Sequence, residues 1–243
     1  MLNNGPDLVA DFRRKYDRIV SGSNTGIKVV DIISYLNEAQ YLWFEKRVPM
    51  AEINSRVRME LRNFEVKRKS LKVNDFDKKI SYFEYPEDFY KDLAISVDAC
   101  KDCCDLPKEI YVTKIQSDDI GPARRDPHRR ASFEYEQLFG DEAGNQFFLY
   151  HEGEMDIKQA FLNYYRRPKE IHAASLVQCS DGSHGYEWKG RKKITEDAPF
   201  EGDSSYAARI IVDLAVAKAA RDKGHLQDYQ SQMDSILKLE NPI

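Results

Sequence analysis

The chain lacks the features that mark secreted, membrane-spanning and disulfide-stabilised proteins. Its first residues, MLNNGPDLV, contain neither a basic stretch nor an apolar core, so we expect no secretory signal. The longest apolar run, Ile210–Ala217, is interrupted by Asp213 and is too short to span a bilayer. The cysteines do not form the framework of a secreted domain, since they are Cys100, Cys103, Cys104 and the distant Cys179. These absences predict a soluble protein that assembles in a reducing cytoplasm.

Groupings of residues that carry catalysis are missing as well. The turn-rich segment SGSNTG has neither the lysine nor the spacing of a phosphate loop. Four histidines lie in different loops, and their spacing places none of them beside a nucleophile: His128, His151, His172 and His184. The acidic pairs Asp118-Asp119 and Glu152/Glu154 are typical of surface loops. We therefore predict that the chain is not an enzyme, has no catalytic residue and needs no cofactor.

The cysteines leave a metal site as an alternative. Cys100 and Cys103 form a C-x2-C half-site, and Cys179 and His184 form a C-x4-H half-site, which together match the ligand types of structural zinc. The two halves are far apart in the sequence. Reduced cysteines packed in the protein are the simpler interpretation, and we predict no metal.

Aromatic residues and blocks of charge are abundant instead. The 14 tyrosines supply a residue type that is common at interfaces and on sheet faces. The formal net charge of -4 gives no global attraction to nucleic acid or acidic membranes. The strongest basic segment is Ser117–Arg130, whose cations are Arg124, Arg125, Arg129 and Arg130. These arginines either contact DNA or an acidic partner, or are solvated.

Hydrophobic periodicity predicts helices at both ends of the chain. Leu8–Val20, Lys28–Arg47 and Met50–Asn63 show helical spacing, and Pro49 marks the end of the second helix. In the third helix we expect Ile53, Val57 and Leu61 to face inward. Near the end of the chain, Ser204–Lys223 is apolar on nearly every side and needs burial, and Leu226–Leu239 is amphipathic.

In the middle of the chain, apolar and polar residues alternate as they do in β-strands. Phe64–Val73 is predicted to be a basic edge strand, and further strands are expected at Ile80–Tyr85, Ala94–Ala99 and Glu109–Gln116. Residues 133–167 are predicted to form a three-stranded antiparallel meander with strands at Phe133–Phe139, Gln146–Tyr150 and Ile157–Tyr165. Its last two strands would form a hairpin within Phe147–Ile171, which ends at Pro168 because proline cannot donate to a ladder.

These elements predict an α+β fold in which N- and C-terminal helices form a helical bundle layer. An antiparallel β meander, or small β domain, would be inserted between the helices. The predicted divisions are an N-terminal helical part at residues 1–63, a β-rich part at 64–200 and C-terminal helices at 201–243 that complete the helical layer.

The order of motifs over residues 105–225 resembles that of a phage protein family. A basic loop with prolines, a strand, a turn and another strand lead to YYRRP at Tyr164–Pro168, and then to IIVDLAVAKAARDKG at Ile210–Gly224. This succession resembles the head-to-tail adaptor proteins of short-tailed bacteriophages, namely the tail tubular protein A or gatekeeper group, and the connector ring proteins of crAss-like phages. The segment CKDCC at Cys100–Cys104 and the antiparallel hairpin suggested by the predicted helices Lys28–Arg47 and Met50–Asn63 have no match in that pattern.

The resemblance implies a structural virion protein in a homo-oligomeric ring, expected to contain twelve copies. Such a ring lies beneath the portal, joins the capsid to the tail and surrounds the DNA exit channel. Its partners would be the portal protein, other tail or connector proteins and the genomic DNA, with no membrane. The protein would assemble in the host cytoplasm and reside in the virion neck. Residues assigned to subunit or partner contacts are Tyr164, Tyr165, Arg166, Arg167, Ile210 and Leu214.

A nucleic-acid-binding regulator is the alternative function. It would use the basic loop at Arg124–Arg130, and its binding to duplex DNA would weaken steeply with salt. The negative net charge of the chain counts against this alternative.

Overall fold

A computed structural model of the chain describes residues 4–19, 26–101, 107–178, 182–190, 192–202, 205–224 and 230. The chain divides into two compact units. The first unit combines Met1–Phe64 with Pro168–Ile243, and the second unit is the continuous segment Glu65–Arg167. The predicted helix at Leu226–Leu239 lies outside the described residues, apart from Gln230. Among the described helices, none has both the length and the apolar character needed to cross a bilayer.

The first unit holds most of the helical residues. Its elements are α1 (Gly5–Ile19), α2 (Val29–Met50), α3 (Ser55–Glu60), 3-10 turns at Arg62–Phe64 and Ala174–Leu176, the strands β9 (Tyr186–Trp188) and β10 (Lys192–Ile194), and α5 (Ser205–Asp222). The predicted helices at Leu8–Val20, Lys28–Arg47 and Ser204–Lys223 are confirmed as α1, α2 and α5. Helix α2 runs three residues past its predicted end at Arg47. Pro49, which was expected to follow the helix, lies within its last turn.

Helix α5 is the buried centre of the first unit. It packs against both α1 and α2, and its apolar side chains are buried from Ala207 to Ala220. A polar contact joins α1 to α5, since the Lys15 ammonium of α1 donates to the Asp213 carboxylate of α5 at 2.7 Å. The helix ends where Gly224 adopts a φ of +87°, a conformation that glycine takes without steric cost.

Three aromatic side chains from separate parts of the chain pack together in the core of the first unit. Trp43 of α2 meets Phe200 edge to face at 5.8 Å between ring centroids, and Phe64 lies 6.4 Å from each of them. All three are buried. The residues after the second unit therefore return to complete the core that the N-terminal helices begin.

The second unit is one eight-stranded mixed sheet. Its strands are β1 (Glu65–Leu71), β2 (Asn74–Asp75), β3 (Ile80–Glu84), β4 (Phe89–Cys100), β5 (Lys108–Lys114), β6 (Leu138–Ala143), β7 (Gln146–Tyr150) and β8 (Asp156–Arg166), with helix α4 (Ile120–Arg125) between β5 and β6. The strand order is β1-β8-β4-β5-β6-β7-β3-β2. Every pairing is antiparallel except β5 with β6, which is parallel.

Short connections force this sheet to curl. Strands β1 and β2 lie on opposite edges, yet only residues 72 and 73 separate them, and three peptide units span at most about 11 Å. Across a flat sheet the same two strands would be about 34 Å apart, since neighbouring strands are spaced about 4.8 Å apart. The apolar core lies inside the curl and includes Phe83, Val97, Ile110, Phe147 and Leu162.

The predicted fold class, a helical bundle layer with a small β meander inserted between its helices, is wrong, because a large curled mixed sheet dominates the structure. The sheet is neither small nor a meander inserted into a helical bundle layer: it has eight strands and one parallel pairing. The predicted hairpin within Phe147–Ile171 does not exist, because β7 pairs with β3 and β6 while β8 pairs with β1 and β4. The predicted strand at Phe133–Phe139 is also wrong over most of its length, since β6 begins only at Leu138. The basic edge strand is confirmed as β1.

Candidate interaction surfaces

The crossover segment, residues 115–137, exists because β5 and β6 are parallel. Parallel neighbours cannot be joined by a tight turn, so the chain must cross over from one end of the sheet to the other. The segment contains the short helix α4, a turn at residues 127–129 and a bridge between Ser132 and Gln137. The Ile115 amide donates to the Gly140 carbonyl of β6, which holds the start of the segment to the sheet. All four predicted arginines lie on this segment.

Arg124 is an internal support rather than an exposed cation. Its guanidinium donates to the Glu152 carboxylate and lies 5.5 Å from the centroid of the Tyr150 ring. The hydrogen bond to Glu152 raises the pKa of Arg124. Tyr150 in turn donates to Asp141 at 2.9 Å. These contacts tie α4 to β7 and to the connection that follows it.

The other three arginines are exposed. Arg129 lies 3.8 Å from the Asp126 carboxylate, a loose pair at a side chain that is 79% exposed. Arg125 and Arg130 form no ion pair with any of the described residues. The structure therefore separates the predicted basic cluster into one structural arginine and three that face solvent, which are the cations available to a phosphate or a carboxylate.

Two hollows lie along this segment. The first has a volume of about 400 Å³, an apolar floor that includes Ile115 and Phe139, and a rim that includes Arg129. The second has a volume of about 460 Å³ and is lined by polar groups and by Tyr135, which is 80% exposed. An exposed tyrosine beside arginines is typical of protein interfaces. Alternation at residues 133–139 predicts a strand, so Tyr135 was not expected on the surface, but the residue lies in a turn before β6.

A second surface belongs to the first unit, at the α2–α3 corner, residues 49–62. Its exposed apolar side chains are Met50 (47%), Ile53 (92%) and Met59 (70%). The prediction that Ile53 faces inward is wrong, because α3 begins only at Ser55 after the Asn54 cap, whose side chain accepts from the Arg56 amide. Val57 and Leu61 are buried as predicted. The corner thus presents apolar groups next to the exposed arginines of α3.

The aromatic-basic motif YYRRP lies mostly inside the protein. Tyr164 and Tyr165 are each 2% exposed, and the Tyr164 hydroxyl donates to Asp88 at 2.9 Å. Burial and this hydrogen bond raise the pKa of Tyr164 to about 12. Arg166 is half-buried and Arg167 is exposed. Of the four residues assigned to a subunit contact, only Arg167 is therefore fully accessible to a neighbour.

The two apolar residues assigned to a contact belong to the core of the first unit. Ile210 is 1% exposed and Leu214 is 6% exposed. The need of α5 for burial is met by α1 and α2 of the same chain. A neighbouring subunit is not required to cover these side chains.

Ser81, His151 and Asp75 lie together as the residues of a catalytic triad do, but their hydrogen bonds run in a different direction. Ser81 Oγ lies 3.2 Å from His151 Nε2 and donates to Asp75 at 3.1 Å. The Gly153 amide donates to His151 Nδ1 at 3.3 Å, so Nε2 carries the proton and donates to the serine. A histidine that activates a serine must instead accept the hydroxyl proton. The sequence could not bring these residues together, because they come from three separate elements.

The cysteine cluster is only partly described. Cys100 is a free, half-buried thiol at the end of β4, whereas Cys103, Cys104 and Cys179 lie outside the described residues. No three metal-ligating side chains converge among the described residues. The zinc alternative therefore stays untested.

Comparison with protein-family models finds no match, and comparison with curated proteins finds none either.

Proposed function

We propose that the chain is a structural subunit of a head-to-tail connector ring in a short-tailed bacteriophage. One observation carries the proposal: each compact unit has an exposed surface of its own with interface chemistry. The first unit presents the apolar and basic α2–α3 corner, and the second unit presents the arginines and Tyr135 of the crossover segment. An adaptor needs two such surfaces, since it has to bind different neighbours at once. The order of motifs at residues 105–225 favours the phage connector among adaptors.

The proposed partners are further copies of the chain, the portal protein and the next tail component. Large apolar groups on a rim of arginines suit protein contacts, because arginine and methionine are enriched in interfaces. A chain with a net charge of -4 also suits a channel through which DNA slides, since each fixed phosphate contact adds salt-dependent affinity.

Electron microscopy of the purified protein, alone and with the portal protein encoded with it, tests the proposal. We expect rings in which the chain is bound to the portal, and we expect the chain in purified virions. A protein that remains monomeric in both mixtures and is missing from virions would contradict the proposal.

A DNA-binding regulator is the second candidate, favoured by the exposure of Arg125 and Arg130 without ion-pair partners in the described part of the chain. It predicts binding of a duplex at low salt, with a salt slope that falls by about 1 for each phosphate-contacting arginine replaced by alanine. Failure of the native protein to bind at low ionic strength excludes this function.

A further inference from the structure

We propose that the α2–α3 corner of one copy inserts into an apolar groove between α2 and α5 of the next copy. The inference rests on the proposed function in taking the partner to be a second copy of this chain. It adds which surfaces meet and the kind of symmetry that they generate.

The corner has the form of a plug. Ile53 is 92% exposed in the tight turn that joins α2 to α3, Met50 ends α2, and Met59 is 70% exposed on α3. A large apolar side chain exposed singly needs no explanation, but three within ten residues form a patch. Removing this patch from water favours association.

The α2–α5 groove, which has a volume of about 390 Å³, can receive such a plug. Its walls include Ala39, Tyr41, Leu42 and Leu214, and they are predominantly apolar. Leu42 is 43% exposed in it. A groove of this size has room for side chains, since a water molecule occupies only about 30 Å³ of the liquid.

Charge on the two surfaces is complementary. At the rim of the groove, Glu38 is neutralised by Lys218 and Arg221 contacts Asp222. This leaves Glu45, an exposed carboxylate with no ion-pair partner in the described part of the chain.

On the plug, Arg56 and Arg58 are exposed and form no ion pair with described residues. They outnumber the single exposed carboxylate of the corner, Glu52. Seating the plug in the groove therefore brings unpaired arginines to an unpaired glutamate, which fixes the orientation of the contact.

Plug and groove are different surfaces of the same chain. A contact between unlike surfaces is heterologous, so each bound copy still offers a free plug on one side and a free groove on the other. Such contacts continue until a ring closes or a filament grows. This is the symmetry that a connector ring requires.

Two single variants test the contact. Ile53→Asp disables the plug but keeps the groove, and Leu42→Asp disables the groove but keeps the plug. Leu176→Asp is the matched control, because Leu176 is also 43% exposed and belongs to the same unit but to neither surface. Sedimentation velocity and mass photometry measure the assemblies, and circular dichroism verifies that each variant is folded.

We expect the native protein and Leu176→Asp to form the same oligomers, and each disabled variant to be monomeric. Mixing Ile53→Asp with Leu42→Asp leaves one competent plug and one competent groove, so the mixture should form a 1:1 dimer and nothing larger. Arg56→Glu should weaken assembly by roughly fivefold, the upper range for an exposed ion pair, and adding Glu45→Arg should restore it in part.

Each outcome is decisive when the variants are examined both alone and on the portal. If both disabled variants assemble as the native protein does, or if their mixture forms no dimer while the native protein oligomerises, this contact is wrong and the proposed ring stands. A native protein that remains monomeric in every mixture overturns both proposals.

Discussion

At the scale of single residues, His151 makes the second unit sensitive to acid. The side chain is 6% exposed, and its burial lowers its pKa even though the nearby carboxylates act in the opposite direction: Asp75, Asp77, Glu152 and Asp156. Protonation would also place a hydrogen on Nδ1, where the Gly153 amide already donates. The folded protein therefore favours the neutral ring.

The consequence is a loss of stability as pH falls. The unfolded chain binds the proton near pH 6.5, the ordinary pKa of histidine, while the folded chain binds it only at lower pH. The free energy of unfolding should therefore be highest above about pH 7 and should decrease below about pH 6.5. Urea unfolding from pH 8 to pH 5 measures it.

His151→Gln should remove part of this decrease, because glutamine does not titrate. His172, whose pKa burial also lowers, is present in both proteins, so the difference between their pH profiles isolates His151. His128→Gln changes an exposed histidine and should leave the native profile unchanged. Identical profiles for the native protein and His151→Gln would contradict the assignment.

The arginines of the crossover segment should differ in how much they contribute to the stability of the protein. Arg124→Ala removes the hydrogen bond to Glu152 and the contact with Tyr150, so we expect it to cost on the order of 1 kcal/mol of stability, allowing for partial exposure. Arg125→Ala, in the adjacent position, should change stability by less than about 0.5 kcal/mol. Urea midpoints of the two variants measure the difference. Equal losses would show that Arg125 is an internal support too.

At the scale of elements, Asn37 of α2 joins the N-terminal helices to the segment that follows the sheet. The side chain is 4% exposed. It accepts from the Ile171 amide at 2.7 Å and donates to the Ile171 carbonyl at 2.9 Å. These two bonds mimic one step of a β ladder, and they satisfy backbone groups that are buried with Ile171.

Asn37→Ala should therefore destabilise the protein by about 2–4 kcal/mol, because it leaves a buried donor and acceptor without partners. Asn63→Ala is the matched control: Asn63 donates to the Glu201 carbonyl at 2.9 Å, but the bond is exposed. We expect the control to cost less than about 1 kcal/mol. Chemical denaturation measures both changes, and similar losses would contradict the role given to burial.

Sequence periodicity predicts the helices well because their pattern is local. Helices α1 and α5 have their boundaries within a few residues of the prediction, since a stripe at helical spacing and a following glycine suffice. Ile53 shows the limit. Its spacing from Val57 and Leu61 is helical, but the Asn54 cap starts the helix after it and leaves it in solvent.

Strand pairing could not be predicted in the same way. Strands β7 and β8 alternate as hairpin strands do, and the connection between them contains Glu152 and Gly153 at positive φ, which favours a turn. Each strand nevertheless pairs with two others. The choice of partner depends on contacts far apart in sequence, and alternation along a strand carries no information about it.

The candidate surface was predictable in composition and unpredictable in arrangement. The basic cluster is visible in the sequence, but the carboxylate that engages Arg124 comes from Glu152, beyond β7. The motif YYRRP has the composition of an interface, yet both of its tyrosines are buried, and Tyr164 belongs to the apolar core of the sheet. The burial of Tyr164 depends on the curl of the sheet, which the strand order determines.

At the scale of the whole molecule, the second unit has the properties of an independent folding unit. The buried side chains of its apolar core and the partly buried ones that pack against this core all belong to residues 65–167. A segment of this length can bury enough apolar surface to fold alone. We therefore expect the isolated segment Glu65–Arg167 to fold, with the circular dichroism of a β protein and cooperative thermal unfolding.

Two variants of the isolated segment decide whether this folding is native. Phe147 is fully buried in the core and Phe76 is 65% exposed. Phe147→Ala should cost about 3–5 kcal/mol and abolish or greatly lower the unfolding transition, whereas Phe76→Ala should leave it nearly unchanged. If Phe147→Ala also destabilises the full chain much more than Phe76→Ala does, the isolated segment has the same core as the full chain. A segment that unfolds without a cooperative transition, while the full chain unfolds with one, would mean that the sheet needs the helical unit in order to fold.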